Sequence, residues 1–328
     1  MNRRDFIGGS TSAGLLAGGA PGWLGVARAQ PQNWPVIGFL DGMWGHLNAE
    51  VGRGLRENGI KGIKVEFSGW RGSEYQVDQM AKHAAELVKR QVAVILAYSN
   101  MAALAAKTVT NTVPIIFLAD DPVATGLVNS LNRPGGNLTG AACPVSGLTA
   151  KRIEIVRELV PTTNLVVLVT DPTNKPAHDI EIREAEAAAK ALGLQLLIIA
   201  WTGEHLVEPE LAALPRDRKA VLVFGGGLPF LVNHSLLAYL AARYEFPAIH
   251  GVREAPEDGG LASFGTRFAD AGRLMGVYAA RILKGDKPAD LPVQEITNTE
   301  LVINLRAAKS LGVRIPSTLL ASADEVIE

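Results

Sequence analysis

Short runs of β-branched and aliphatic residues alternate along this chain with stretches whose apolar positions recur every three or four residues. Val36-Ile37-Gly38-Phe39-Leu40 reads as a strand, and a helix follows over 47–58. A strand at 63–67, a helix at 75–90, a strand at 92–96, a helix at 101–107 and a strand at 113–118 continue the pattern. Strand-then-helix order with short loops predicts a parallel sheet covered by helices on both faces. The turn cluster Asn132-Arg133-Pro134-Gly135-Gly136-Asn137 interrupts it. The same alternation then restarts: strands at 165–170, 194–201, 220–224, 247–250 and 260–264, with helices at 177–192, 231–244 and 269–284. Gly285–Pro292 reads as a linker, and a final strand at 301–305 leads to short helices. The chain is therefore two similar α/β halves. No period of 20–50 residues runs through it.

In open parallel sheets, ligands bind outside the carboxyl ends of the strands, so the loops there are the place to look for function. Tyr98-Ser99-Asn100 precedes an alanine-rich helix; Ser99 or Asn100 would cap it, and the amides of a first helical turn suit a carboxylate. The same residues also make a plain cap. Asp120-Asp121-Pro122 ends the next strand, and Asp121 is a candidate for a ligand ammonium or for solvating its own turn. Trp44, flanked by glycine in Asp41-Gly42-Met43-Trp44-Gly45-His46, is a candidate aromatic lid, with packing between the halves as the alternative. In the second half, Asp171 and Asn174 occupy the equivalent loop. Gly226, within Gly225-Gly226-Gly227, lets backbone come close to a ligand. His250 and Phe264 each end a strand there.

Composition narrows the class. With 328 residues, 48% hydrophobic and 20% charged, the chain has enough apolar matter for two domains, and a net charge of −1 offers no basic face for nucleic acid. Met1-Asn2-Arg3-Arg4-Asp5-Phe6-Ile7 opens a weakly apolar, glycine-rich stretch that ends at Ala27-Arg28-Ala29. Residues 1–29 thus read as a cleaved signal peptide of the twin-arginine kind. Glycines and Pro21 interrupt the stretch before the roughly 18 apolar residues that a membrane span requires. Cys143 is the single cysteine, so no intramolecular disulfide forms. The six histidines never stand four apart or beside a cysteine. No Gly-x-Ser-x-Gly elbow, P-loop or dinucleotide fingerprint occurs. These absences argue against an enzyme, and no cofactor or metal is expected.

Two long segments carry a family resemblance. The first is Pro114-Ile115-Ile116-Phe117, Asp121-Pro122-Val123, Gly126-Leu127-Val128 and Leu131 to Gly140. The second is Arg281-Ile282-Leu283-Lys284-Gly285, Lys287 to Gln294, Glu300 to Leu305 and Asp324-Glu325-Val326-Ile327. The chain resembles the ABC transporter substrate-binding proteins of the tryptophan/tyrosine-binding-like group. That resemblance implies a type I periplasmic-binding-protein fold: two doubly wound parallel-sheet lobes joined by a hinge of three crossings, expected near 143–146, 265–267 and 286–292. Lobe 1 would be 30–143 plus 267–288, and lobe 2 would be 144–266 plus 289–328. It further implies a monomer in the periplasm that captures an amino-acid-like or aromatic acid and delivers it to an inner-membrane ABC permease, without nucleic acid. A sensory protein reporting to a receptor, or a secreted α/β enzyme, are the other classes left open. The chain departs from its relatives at ligand-facing places: a short loop with Met43-Trp44-Gly45-His46, Ser99-Asn100-Met101 before the alanine-rich helix, and His250-Gly251 where an aromatic-acid pair is usual. Fold and transport role therefore carry over better than ligand identity.

Overall fold

A computed structural model describes residues 34–40, 45–69, 77–143, 147–172, 175–201, 204–215 and 220–328. The leader, Trp44 and Asn174 lie outside the described residues. Residues 34–328 form one compact unit. It begins with β1 (Val36–Leu40), α1 (Gly45–Glu57), β2 (Lys64–Ser68), α2 (Val77–Lys89), β3 (Val94–Ala97), α3 (Asn100–Val109), β4 (Ile115–Ala119) and β5 (Leu138–Ala142). Next come α4 (Thr149–Leu159), β6 (Leu165–Thr170), α5 (Lys175–Leu192), β7 (Gln195–Ala200), α6 (Glu204–Ala213), β8 (Ala220–Phe224), α7 (Leu228–Val232), α8 (His234–Arg243), β9 (Ala248–His250), α9 (Glu254–Glu257) and β10 (Ala262–Thr266). The chain closes with α10 (Phe268–Leu283), β11 (Gln294–Glu295), β12 (Thr299–Asn304), α11 (Leu305–Leu311), α12 (Ser317–Ser322) and β13 (Glu325–Ile327).

The strands form two sheets, β2-β1-β3-β4-β5-β11 and β7-β6-β8-β9-β10-β12-β13. The first is parallel throughout; in the second only the β10–β12 pairing is antiparallel. The first five strands of each sheet follow one order, 2-1-3-4-5, the doubly wound arrangement. Alternation along the central strands explains why they are apolar at nearly every position. In β6, Val166 and Leu168 pack into one cluster with α4, α11 and α12, while Val167 and Val169 pack into another with α6 and α8. A strand buried on both faces has no polar side to show. β7 departs from the buried strand its apolar run predicts. It pairs only with β6, so it is an edge, and Leu197 and Ile198 are exposed.

The decisive tertiary contact joins elements more than two hundred residues apart. α10 packs along α1 on the first sheet, through Met275, Tyr278 and Ala279 against Val51 and Leu55. Glycines let the two backbones meet: a Cβ on Gly54 would lie 2.2 Å from the Arg273 carbonyl, and one on Gly276 2.1 Å from that of Val51. Arg273 Nε donates to Glu57 Oε2 at 2.7 Å beside this seam.

This return makes the chain pass between the sheets three times, between β5 and α4, at Arg267 and at 296–298. The third passage falls later than the expected 286–292. Leu291 and Val293 are buried in the first sheet's clusters, Leu291 O accepts from Thr139 Oγ1 at 2.7 Å, and Gln294–Glu295 pair with Ala141–Ala142. The second and third passages run side by side. Arg267 N donates to Asn298 O at 2.9 Å, and Asn298 Nδ2 to Asp270 Oδ2 at 2.8 Å. Arg267 Nη2 also donates to Asp324 Oδ1 at 2.6 Å, reaching the C-terminal strand. Phe268, the first residue of α10, touches the first-sheet core and a small second-sheet cluster of Leu231, Val252 and Ala255.

Because the α1–α10 seam is backbone on backbone, Gly54→Ala and Gly276→Ala must push the helices apart. Each is expected to lower unfolding stability by about 1–3 kcal/mol, the usual cost of overpacking, in urea unfolding followed by circular dichroism.

Candidate functional site

In a 2-1-3-4-5 sheet the order reverses between the first and third strands, and the crevice outside their carboxyl ends receives ligands. Here the reversals fall between β1 and β3 in the first sheet and between β6 and β8 in the second. The loops that follow these four strands are the candidate site.

On the first sheet, β3 is followed by Tyr98, which is buried and donates from its hydroxyl to Asn48 Oδ1 of α1 at 2.7 Å. Burial alone raises its phenol well above the ordinary tyrosine value. Ser99 has extended backbone and caps α3, its Oγ accepting from Ala102 N at 3.1 Å. Asn100 Oδ1 accepts from Asp120 N at 3.1 Å, tying the loop after β3 to that after β4. Asp121 is exposed, and its Oδ1 accepts from Val123 N at 3.2 Å and Ala124 N at 2.9 Å. Of the two roles the sequence allowed it, the structure shows the turn-forming one. Cys143 is buried at the start of the first passage; burial and the nearby Asp120 charge raise its thiol pKa.

The second sheet holds a feature the sequence did not announce. Arg152 of α4 is 1% exposed, and Glu181 of α5 is likewise 1% exposed. Arg152 Nε donates to Phe264 O at 2.8 Å and Nη1 to Phe224 O at 3.5 Å. Glu181 Oε1 accepts from Gly226 N at 2.5 Å, and Oε2 accepts from the Thr170 hydroxyl, which also contacts His178 Nδ1 at 3.3 Å. A Cβ on Gly225 would sit 2.6 Å from Glu181 Oε2, so only glycine lets the carboxylate lie against this loop. Burial raises the Glu181 pKa, opposed by Thr170, the Gly226 amide, Arg152 and His178. Burial lowers that of Arg152, opposed by Glu181 and Glu184. Asp171 follows at the end of β6 and is buried.

The structure thus brings Thr170, Asp171, Gly226 and Phe264 to one edge of the second sheet, with Ser99, Asn100 and Asp121 at the corresponding edge of the first. His250 does not join them as an exposed group. It is 2% exposed, stacked on Phe224 with ring centroids 4.6 Å apart, and its Nε2 is buried without a hydrogen-bond partner. The reason is local: Gly260 lies over the ring, where a Cβ would come within 3.3 Å of His250 Nε2. Among the described residues no cluster of His, Cys, Asp and Glu is arranged to hold a metal. Nor is any helix among them long and apolar enough to cross a membrane.

Burial, with lesser effects from His234 and Arg152, lowers the His250 pKa to about 3. A base depressed in the fold takes its proton first in the unfolded chain, so stability present above pH 6.5 is lost as the pH falls toward 3. Wild type should lose up to about 1.4 kcal/mol per pH unit over that range relative to His250→Phe. Urea unfolding at a series of pH values measures it, and parallel curves for the two proteins would contradict it.

Comparison with known proteins places this geometry. The family model for ABC transporter substrate binding protein matches residues 46–327. A tyrosine-binding protein of Clostridioides difficile is 25% identical over 266 residues, 80% of this chain and 75% of that protein. The crystal structure of a Streptococcus ABC domain in complex with L-Trp superposes with a TM-score of 0.77 at 23% identity, covering 90% of this chain and 100% of that one. A ligand-free, open substrate-binding protein with adhesive properties from Clostridium difficile gives 0.64 at 23% identity, covering 89% and 99%. These likenesses show the periplasmic-binding-protein fold. With one doubly wound topology repeated in two lobes and a family match that runs through both, the chain belongs to the ABC transporter substrate-binding proteins.

Proposed function

We propose that this protein is the periplasmic binding component of an ABC importer and that it captures an amino acid, with aromatic amino acids the preferred class. The carrying observation is that both sheets repeat one doubly wound topology, with Ser99 following β3 of the first and Thr170–Asp171 closing β6 of the second. The Arg3-Arg4 leader supports export. The names of two relatives, one binding tyrosine and one solved with L-Trp, support the ligand class.

In this reading the solute's carboxylate meets the Ser99–Asn100 end of α3, where the helix dipole favours negative charge. Asp171, buried at the end of β6, or Asp121 after β4 takes the ammonium. Trp44 and Phe264 border the apolar side chain, while Asn174 and the Gly226 backbone supply further polar contacts. Open and closed forms exchange, and ligand favours closure only by the contacts it gains from the second lobe. The closed form then docks on an inner-membrane permease as a monomer, and the ligand leaves chemically unchanged.

A thermal-shift screen of the leaderless chain against the common amino acids tests this. A true ligand at about 100 times its Kd should add roughly 2.7 kcal/mol of stability. L-Trp or L-Tyr is expected to give the largest shift, and Asp171→Asn should weaken it by at least about tenfold in Kd. Stabilisation by sugars alone, or turnover of a bound compound, would sink the reading.

A further inference from the structure

Arg152 and Glu181 are buried together behind the second lobe's switch point, and filling space does not account for them. Apolar residues of similar volume generally match or exceed a buried ion pair in stability. What distinguishes these two side chains is where their hydrogen bonds go. Thr170 ends β6 and Phe224 ends β8, the two strands that flank the switch point. Glu181 binds the Thr170 hydroxyl and the Gly226 amide, while Arg152 binds the carbonyls of Phe224 and Phe264. α4 and α5 thereby hold the ends of β6 and β8 and the middle of β10 through bonds to charged groups, which are stronger than neutral ones.

We infer that Arg152 and Glu181 are positioning residues for ligand capture, fixing the Thr170–Asp171 and Phe224–Gly226 backbone in its binding shape without touching the solute. The inference rests on the cleft reading above. The groups around the pair are known from each neighbouring element: Glu184 and His178 on α5, Thr170 on β6, the Gly226 amide after β8, and His250 on β9. Glu184 Oε2 is itself engaged by Thr149 N at 3.0 Å. Because burial raises the Glu181 pKa, it takes a proton at a higher pH than an exposed carboxyl and then loses its charge toward Arg152.

The experiment uses two variants and two readouts. Arg152→Met/Glu181→Leu replaces the pair with apolar volume and is expected to unfold cooperatively like wild type. Its backbone amides over 224–227 should exchange with deuterium at least about tenfold faster, with L-Trp or L-Tyr binding weakened by a similar factor. Glu181→Gln keeps the shape and removes the titration. Wild-type affinity should fall as acidification protonates Glu181, and the Gln variant should lack that fall. If the double variant exchanges and binds within roughly twofold of wild type, the pair is mere packing. An unchanged acid profile in Glu181→Gln overturns the inference as well. Should wild type bind neither amino acid, the ligand reading fails by itself, and amide exchange still decides whether the pair holds the loop.

Discussion

The seam between α1 and α10 is the contact on which the rest of this molecule depends. Without it, residues after β10 would have no reason to leave the second sheet. The seam draws Phe268–Leu283 back onto the first sheet, and Leu291, Val293 and the β11 pairing hold the chain there until Glu295. Three passages between the lobes follow from that one return. The two sheets are therefore joined by three strands of chain, not by a single tether. The glycines at 54 and 276 are thus tied to this connectivity as much as to packing, since no side chain fits where the backbones meet.

The two lobes solve the same topological problem with different chemistry. At the first switch point the polar groups are modest: a serine cap, an asparagine bridging two loops, an aspartate turning its own segment. At the second, a guanidinium and a carboxylate lie out of water against the strand ends.

Most of the fold was legible from the apolar pattern because central strands and their covering helices carry a plain period. What escaped did so for identifiable reasons. β5, Leu-Thr-Gly-Ala-Ala, has weak strand propensity, and Gly140 is there because a Cβ would lie 2.1 Å from the Phe117 carbonyl. α4 was missed because its buried face carries Thr149 and Arg152 among Ile153, Ile155 and Val156, which blurs the helical period. α6 was hidden by Pro209 within it. The apolar stretch at 231–244 looked like one helix, but Asn233, whose Nδ2 donates to Pro229 O, divides it into α7 and α8. The candidate site was legible by position and less so by role. Ser99, Asn100, Asp171 and Gly226 stand at strand ends as expected, while a charged residue on a helix reads as a solvated face. Nothing in the local sequence of Arg152 or Glu181 says otherwise.

The second and third passages tie this picture together. Arg267 is bonded through its amide to Asn298 and through its guanidinium to Asp324, and Asn298 reaches on to Asp270 at the start of α10. The antiparallel β10–β12 ladder continues into this junction, with Thr266 opposite Thr299 as its last pair. The two passages thus run side by side as one ribbon. Phe264 lies on that ribbon, two residues before its ladder ends, and its carbonyl is the one that Arg152 holds. The buried pair behind the second switch point is thus anchored to the same strand that leads into the hinge. The Arg152 contact and the second passage between the sheets share a single backbone segment, Phe264–Arg267.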